Sequence, residues 1–547
     1  MRPFRIVVTV LAAVCTLAVH AQQSRLDSLK EAEQDLRRRY DAVQQQRKLL
    51  GVFNYLNNMY VDRTEMAPLV ERAIVSMLEE LDPHSSYISA KDMKAVQEQF
   101  EGEFSGIGIE FNVHRDTILV INVITDAPAE KAGMRPNDRI TRIDGESAIG
   151  ISRNDVTSKL RGKSGSKVAV TVLRHGSDEE LEFEIVRGKI PINTVDAAYR
   201  IDDRTGYVKV NRFGHTTADE FANAVERLGD IDALLLDLRG NGGGIMEQAV
   251  KMAEFFLPEG SLIVSTEGAN VKPQRIEARR NGKFLKGRTV VLLDESSASA
   301  SEIVAGALQD WDRAVIAGAP SFGKGLVQRQ VMLPDSSAVR ITVSRYHTPT
   351  GRVIQRPYEK GRREAYFTAH RQRLSGSASD SLATDGLPEY KTLRNGRTVY
   401  GGGGITPDII AEPDSTLVTG GIVRLTARGL IIDFLYNYID RHRDSLAMLY
   451  PNYEKFESGF RIADETLDEL FESGAANGVE LTDDERTESE RFIRRFIRAY
   501  MARTLFTNDE YWRVLNENDD PVYRTAVEVL LDPERMDSLL ANGGKQR

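Results

Sequence analysis

The sequence predicts a multidomain α/β protein with helical regions at both ends. Its 547 residues exceed what one hydrophobic core usually organises. Continuous apolar runs at 233–238, 289–294 and 314–318 alternate with helical periods, as strands buried on both faces of a sheet do. Between Phe104 and Arg187 the pattern switches to short strands and tight turns, which marks a second, smaller core.

The N-terminus places Arg2 and Arg5 before an apolar run from Ile6 to Val19, with Val19 and Ala21 ahead of Gln22. This is the pattern of a secretory signal peptide over residues 1–21, and it implies export to the periplasm or cell envelope of a bacterium. The run is short for a bilayer span, although association with a membrane or an adaptor stays open. Cys15, the single cysteine, follows Val14 where a lipoprotein signal wants a small residue, so a lipid anchor is disfavoured. The mature chain then has no thiol, which excludes disulfides, a cysteine nucleophile and thiolate-bound zinc, and no metal or cofactor is expected. A formal charge of -9 argues against nucleic acid as a partner.

Residues 22–100 read as an N-terminal helical region. Leu26, Leu29, Leu36, Tyr40, Val43, Leu50, Phe53 and Leu56 recur mostly every three, four or seven positions, an amphipathic arm that either packs on its own domain or pairs with a second copy as a homodimer. A second helix, Met66 to Leu81, leads into LDPHSSYIS.

Residues 101–190 form a small β domain, with strands expected at 106–111, 117–125, 138–145, 168–176 and 181–187 and two short helical stretches, and it resembles a PDZ domain. In GIGIEF, the backbone amides of Gly106, Ile107, Gly108 and Ile109 are placed to hold a peptide carboxylate beside a strand edge that an extended tail could lengthen. The bland alternative is a Gly-rich hairpin.

Residues 191–412 form the α/β core. Within it, 352–400 is polar, Ser- and Arg-rich and without clear period, and reads as an inserted exposed loop, followed by GGGG at 401–404 as a flexible turn. From 413 to 547 the chain reads as a C-terminal helical domain ending in a polar tail.

Two segments carry chemistry. In TVVLLDESSASASEIVAG a buried strand gives way to small residues and then a helix, so a side chain at the turn sits beside outward-pointing amides that can stabilise negative charge. The same serines also suit simple N-capping, with Glu302 completing a capping box from Ser299. In PSFGKGLVQ, glycines on both sides of Lys324 leave its amine unobstructed. Gly318 and Gly323-Lys324 imitate a phosphate-binding loop, but Gly325 stands where the hydroxyl for magnesium belongs. His84, His215 and His347 remain alternative bases, none in a strand-end setting as pointed as Lys324.

Together DPHSSY, FSGIGIEF, DLRGNGGG, SASASE, FGKG and GGGGITPD, in that order, resemble the C-terminal processing peptidases, also called tail-specific proteases. The resemblance covers roughly residues 45 to 412. It implies a ClpP/crotonase-like serine protease core interrupted by a PDZ domain, acting on protein substrates with apolar C-terminal tails. It also implies roles: Ser299 as nucleophile, Lys324 as general base, Gln328 orienting the lysine, and the amides of Gly244 and Ala300 as the oxyanion hole, with Asp310 supporting. Gly242 stands where many members carry proline. A lysine acting as base must be desolvated below its ordinary pKa near 10.4, and Gln328 can orient it without the charge that would stabilise the ammonium. Two other readings compete. A catalytically silent PDZ scaffold would not need the intact Ser299, Lys324 and Gln328, and an acyl-processing crotonase-like enzyme would not need a tail reader.

Overall fold

The computed structural model describes every residue except 1, 115, 175–178, 375–385, 413–418, 518–519 and 543–547. Residues 1–77 and 78–547 are separate compact units. In the first, one helix runs from Arg2–Met59, and Met66–Glu79 begins the next. Leu29, Leu36, Val43 and Leu50, seven residues apart, are all exposed on it.

In the second unit a six-stranded sheet forms the centre, ordered Val195–Arg200, Thr205–Val210, Ala233–Asp237, Arg288–Leu293, Val315–Gly318 and Ile409–Ile410. The first pair is antiparallel and the others parallel. Alternation divides each apolar run between two cores. Leu234, Leu236, Val291 and Leu293 face Phe221, Met252, Val304 and Leu308 of the helices Thr217–Arg227, Met246–Glu254 and Ala300–Asp310. Leu235, Val290 and Leu292 face the other way, against Val522, Tyr523, Ala526 and Leu530.

That second face corrects the C-terminal boundary. The helices Gly420–Ala427 to Asp483–Leu505 do build a core of their own, around Leu435, Leu470, Ile493 and Ile497. The helices Pro521–Leu531 and Pro533–Asn542 instead close the central sheet. An amphipathic pattern announces a buried face without saying what buries it.

The stretch 352–400 is likewise no exposed loop. Arg352, Ile354 and Arg397 are buried, residues Arg363–Leu374 form a helix, and Glu389–Lys391 pairs with Thr398–Tyr400. Arg352 forms an ion pair with Asp310 at 2.8 Å, and Arg397 joins Asp312 and Asp408. Only 375–385 of this stretch lies outside the described residues. The glycines at 401–404 are not a flexible turn either. Gly402 and Gly404 donate to the carbonyls of Val353 and Ile354, and a Cβ on Gly404 would lie 2.7 Å from the Ser321 carbonyl.

A second sheet pairs Ala338–His347 with Ser86–Ile88, Leu262–Gly268 and Leu326–Met332. The PDZ-like domain has its own sheet, Ile109–His114, Thr117–Val123, Arg139–Ile143, Lys167–Leu173 and Glu180–Val186. Its two connections pair with each other, Glu103–Gly106 against Gly188–Pro191. The expected strand at 106–111 is thus divided: Gly106 ends a connecting strand, Ile107 and Gly108 turn, and Ile109 opens the next strand.

Candidate active site

Three strand ends of the second unit converge on one cavity of about 650 Å³, lined by Gly242, Gly243, Gly244, Ser299, Lys324 and Gln328 among others. Each group is delivered by a short turn, and the turns are stitched together.

The strand Arg288–Leu293 ends in the turn that carries Ser299, the N-cap of the helix Ala300–Asp310. Ser299 has φ 56° and ψ −108°, a conformation that costs a non-glycine residue about 1–3 kcal/mol and recurs at functional sites. Capping alone does not need it. Ser297 and Ser301 are buried, and their hydroxyls each donate across 2.9 Å to the carbonyls of Leu238 and Asn241, tying this turn to the glycine turn. Asp294 accepts from the amides of Gly240, Ser296 and Ser297.

The glycine turn follows Ala233–Asp237. Asp237 is fully buried; burial alone would raise its pKa, but Arg239 and Lys209 outweigh this and hold it below the ordinary carboxylate range. Arg239 continues to Asp520, just before the helix Pro521–Leu531. A Cβ on Gly243 would lie 2.8 Å from the Ser299 Cβ and 2.9 Å from the Ala300 nitrogen, so only glycine lets the turns approach. Gly244, at φ 147°, could carry no Cβ either: one would lie 2.1 Å from the Phe213 carbonyl. The Gly243 amide is taken by Asn241, whereas those of Gly244 and Ala300 donate to none of the described residues.

Lys324 precedes the strand Leu326–Met332, on which Gln328 lies. The Lys324 Nζ donates to Gln328 Oε1 at 2.9 Å, and Gln328 Nε2 donates to the His84 carbonyl at 2.6 Å. The second bond fixes which end of the amide meets the lysine. Burial, then the neighbouring Arg340 guanidinium, push the Lys324 amine below its ordinary value, against Glu302 and Asp82. No direct hydrogen bond joins Lys324 to Ser299; the Nζ donates to Gln328.

Two carboxylates to which the sequence reading gave no part in the site, Glu302 beyond its capping box and Asp82 within DPHSSY, organise this arrangement. Glu302 is fully buried and accepts from the Ser299 amide, the Ser321 hydroxyl and the amides of Gly323 and Lys324, at 2.6–2.9 Å. One side chain therefore sets the spacing between the serine and lysine turns. Burial raises its pKa against those four donors. Asp82 accepts from the amides of His84 and Ser85 and from the hydroxyls of Ser85 and Thr342, and so shapes DPHSSY. The capping-box spacing pointed to Glu302; nothing marked its reach to Lys324.

Asp310 stands apart, at the far end of the Ser299 helix, where it accepts from Thr350 and pairs with Arg352. Of the alternative bases, His215 lines the cavity, His84 packs behind Gln328 and His347 meets the Gly351 carbonyl; none bonds to Ser299. In the PDZ-like domain Gly106, Ile107, Gly108 and Ile109 line one groove with Phe111 and Leu160. The carbonyls of Ile107 and Gly108 accept from Ala129 and Ile124, and their amides donate to none of the described residues.

This fold matches two known families: residues 204–359 match peptidase family S41 and residues 105–185 match the PDZ domain. The molecule is a serine peptidase of family S41 carrying a PDZ domain. It is 38% identical over 311 residues to a carboxy-terminal-processing protease of Bartonella bacilliformis, covering 56% of this chain and 71% of that one. With the carboxy-terminal processing protease CtpA of Bacillus subtilis it shares 35% identity, covering 56% of this chain and 66% of the relative. The chain belongs to the carboxy-terminal processing protease family. A solved photosystem II D1 C-terminal processing protease aligns at 31% identity, with 55% of this chain, 82% of that chain and a TM-score of 0.31. Residues 422–507 match a family of unknown function.

Proposed function

We propose that the chain is an exported endopeptidase that selects proteins by apolar C-terminal tails and cleaves them with a Ser299/Lys324 pair. The neutral Lys324 amine takes the Ser299 proton as Oγ attacks the peptide carbonyl. The amides of Gly244 and Ala300 receive the oxyanion, and the lysine ammonium returns its proton to the leaving amine. Water, activated by the same amine, then releases the acyl-enzyme. Gln328 holds the amine by a neutral carbonyl and so leaves its lowered pKa intact. The observation that carries this reading is the buried Lys324 amine sharing a cavity with Ser299 and the free Gly244 amide.

The PDZ groove supplies selection. The unpartnered amides of Ile107 and Gly108 suit a terminal carboxylate, and the apolar wall of Phe111 and Leu160 suits an uncharged last side chain. Export to the periplasm or envelope is supported by the basic and apolar N-terminal residues. The exposed seven-residue repeat of the first helix supports pairing with a second copy: run antiparallel about the midpoint between Arg39 and Tyr40, it sets Leu29 beside Leu50 and Leu36 beside Val43.

The test is initial rates on matched free-acid and amidated peptides with the native chain and Ser299→Ala. The native chain cleaves the free acid faster, and Ser299→Ala cleaves neither peptide while still binding the tail. Equal rates on the two peptides overturn tail reading. Turnover by Ser299→Ala overturns the nucleophile.

A further inference from the structure

The helix Arg363–Leu374, inside the stretch that looked like a loop, contributes nothing to the lining of the active-site cavity. Its buried side instead meets both segments that place Lys324. On one side the Tyr366 ring, 6% exposed, meets the His84 ring edge-on at 5.3 Å, and Phe367 meets it at 6.1 Å. On the other, Phe322, two residues before Lys324, lies 6.0 Å from Tyr366 and 4.4 Å from the His370 ring. The Arg373 guanidinium donates to the carbonyls of Pro320 and Ser321 at 3.1 and 3.3 Å. Arg356 completes the box, 5.0 Å above the Phe322 ring and 4.2 Å above that of Tyr366. Rings meeting edge to face, with a guanidinium over two of them, form a dry and directional packing unit.

We propose that this helix, with Tyr366 as its central contact, is the positioning element of the catalytic lysine. It holds the His84 and Phe322 segments closed, so that Lys324 stays dry and aimed through the bonded sequence His84 carbonyl, Gln328, Lys324 Nζ. The inference rests on the reading of Lys324 as the base.

His84 is a neutral wall in this unit. Burial, then Lys324, push its imidazole down to about 3, and its Nε2 is buried without a hydrogen bond among the described residues. A base would need that nitrogen to face a proton. The groups that act on Lys324 come from every side: Arg340 on its sheet, Glu302 on the Ser299 helix and Asp82 in the DPHSSY turn. Arg356 and Arg363 act on His84 from behind. Opening the box would admit water to the amine and weaken the largest influence on it, its burial.

The decisive measurement is kcat/KM against pH on a free-acid peptide for the native chain, Tyr366→Ala, Tyr366→Phe and Lys324→Ala, with thermal melts and tail binding in parallel. Tyr366→Ala moves the rising alkaline limb up by about one pH unit and lowers kcat/KM at neutral pH about tenfold, with tail binding unchanged. Tyr366→Phe keeps the native profile, because the ring that meets His84 and Phe322 is retained and the lost hydroxyl touches Gln355 and Arg356 rather than the Lys324 segment. An unmoved limb in folded Tyr366→Ala, with Lys324→Ala inactive, overturns this inference alone. An active Lys324→Ala overturns the base assignment and this inference with it. Should Tyr366→Ala not fold, the half-buried Phe367→Ala takes its place, with a smaller shift in the same direction expected and no shift overturning the proposal.

Discussion

The active-site cavity and the PDZ groove are both lined by glycine turns, yet they are built on opposite terms. At the cavity, Glu302, Asp82 and Asp294 each bind several amides or hydroxyls, and the turns cannot move independently. At the groove, the amides of Ile107 and Gly108 have no partner among the described residues, and the strand beyond them is steadied by a half-exposed ion pair between Glu110 and Arg503. Bond-making chemistry needs its atoms fixed before the substrate arrives, whereas the tail reading proposed for the groove needs donors kept free. The difference can be measured one side chain at a time.

The largest effect is expected from Lys324→Arg, which should be as inactive as Lys324→Ala because a guanidinium stays protonated at any working pH. In the native chain activity should climb with pH as the amine loses its proton, with a midpoint below the lysine's ordinary value of 10.5. A working Lys324→Arg would end the assignment of the base. Next comes Gly244→Ala. Its new methyl would collide with the Phe213 carbonyl and displace the amide, so kcat should fall about 10²- to 10³-fold while tail binding holds. Retained kcat would show that this amide is not an oxyanion donor.

Glu302→Gln presents an NH2 group to a site made only of donors. A loss of about a hundredfold in kcat is expected, with the melting temperature lowered, because the serine and lysine turns lose their common anchor. Unchanged kcat would mean that the turns hold their spacing without it. The smallest effect belongs to the groove: Arg503→Ala removes a partly exposed ion pair and should change stability by less than about 1 kcal/mol, with tail affinity within a few-fold. A large loss of affinity would make the groove as preorganised as the cavity and erase the contrast.

Much of this organisation is legible in the sequence. The central strands follow from uninterrupted apolar runs and the PDZ strands from alternation, because the backbone period alone dictates both. The serine cluster and Lys324 stand out at strand-end turns of small residues, whereas the choice of Ser299 within SASASE and the part given to Gln328 come from the resemblance to the processing peptidases. What escaped depends on contacts far apart in the chain. Arg352 and Arg397 look like solvated charges, yet both are buried against aspartates. Tyr366 and Phe367 stand among charged neighbours, where no local period separates a buried ring from an exposed one. Ser297 and Ser301 look interchangeable with Ser299, but their hydroxyls are committed to carbonyls of the glycine turn.

The helix Pro521–Leu531 has a further consequence, one of timing. Tyr207, Leu235 and Val290 are covered by Val522, Tyr523 and Leu530, so the sheet that carries the catalytic turns has a bare apolar face until that helix arrives. Chains are made from the N-terminus, and the helix lies far downstream of Ser299 and Lys324. A growing chain therefore carries Ser299 and Lys324 well before the sheet beneath them has its second apolar cover.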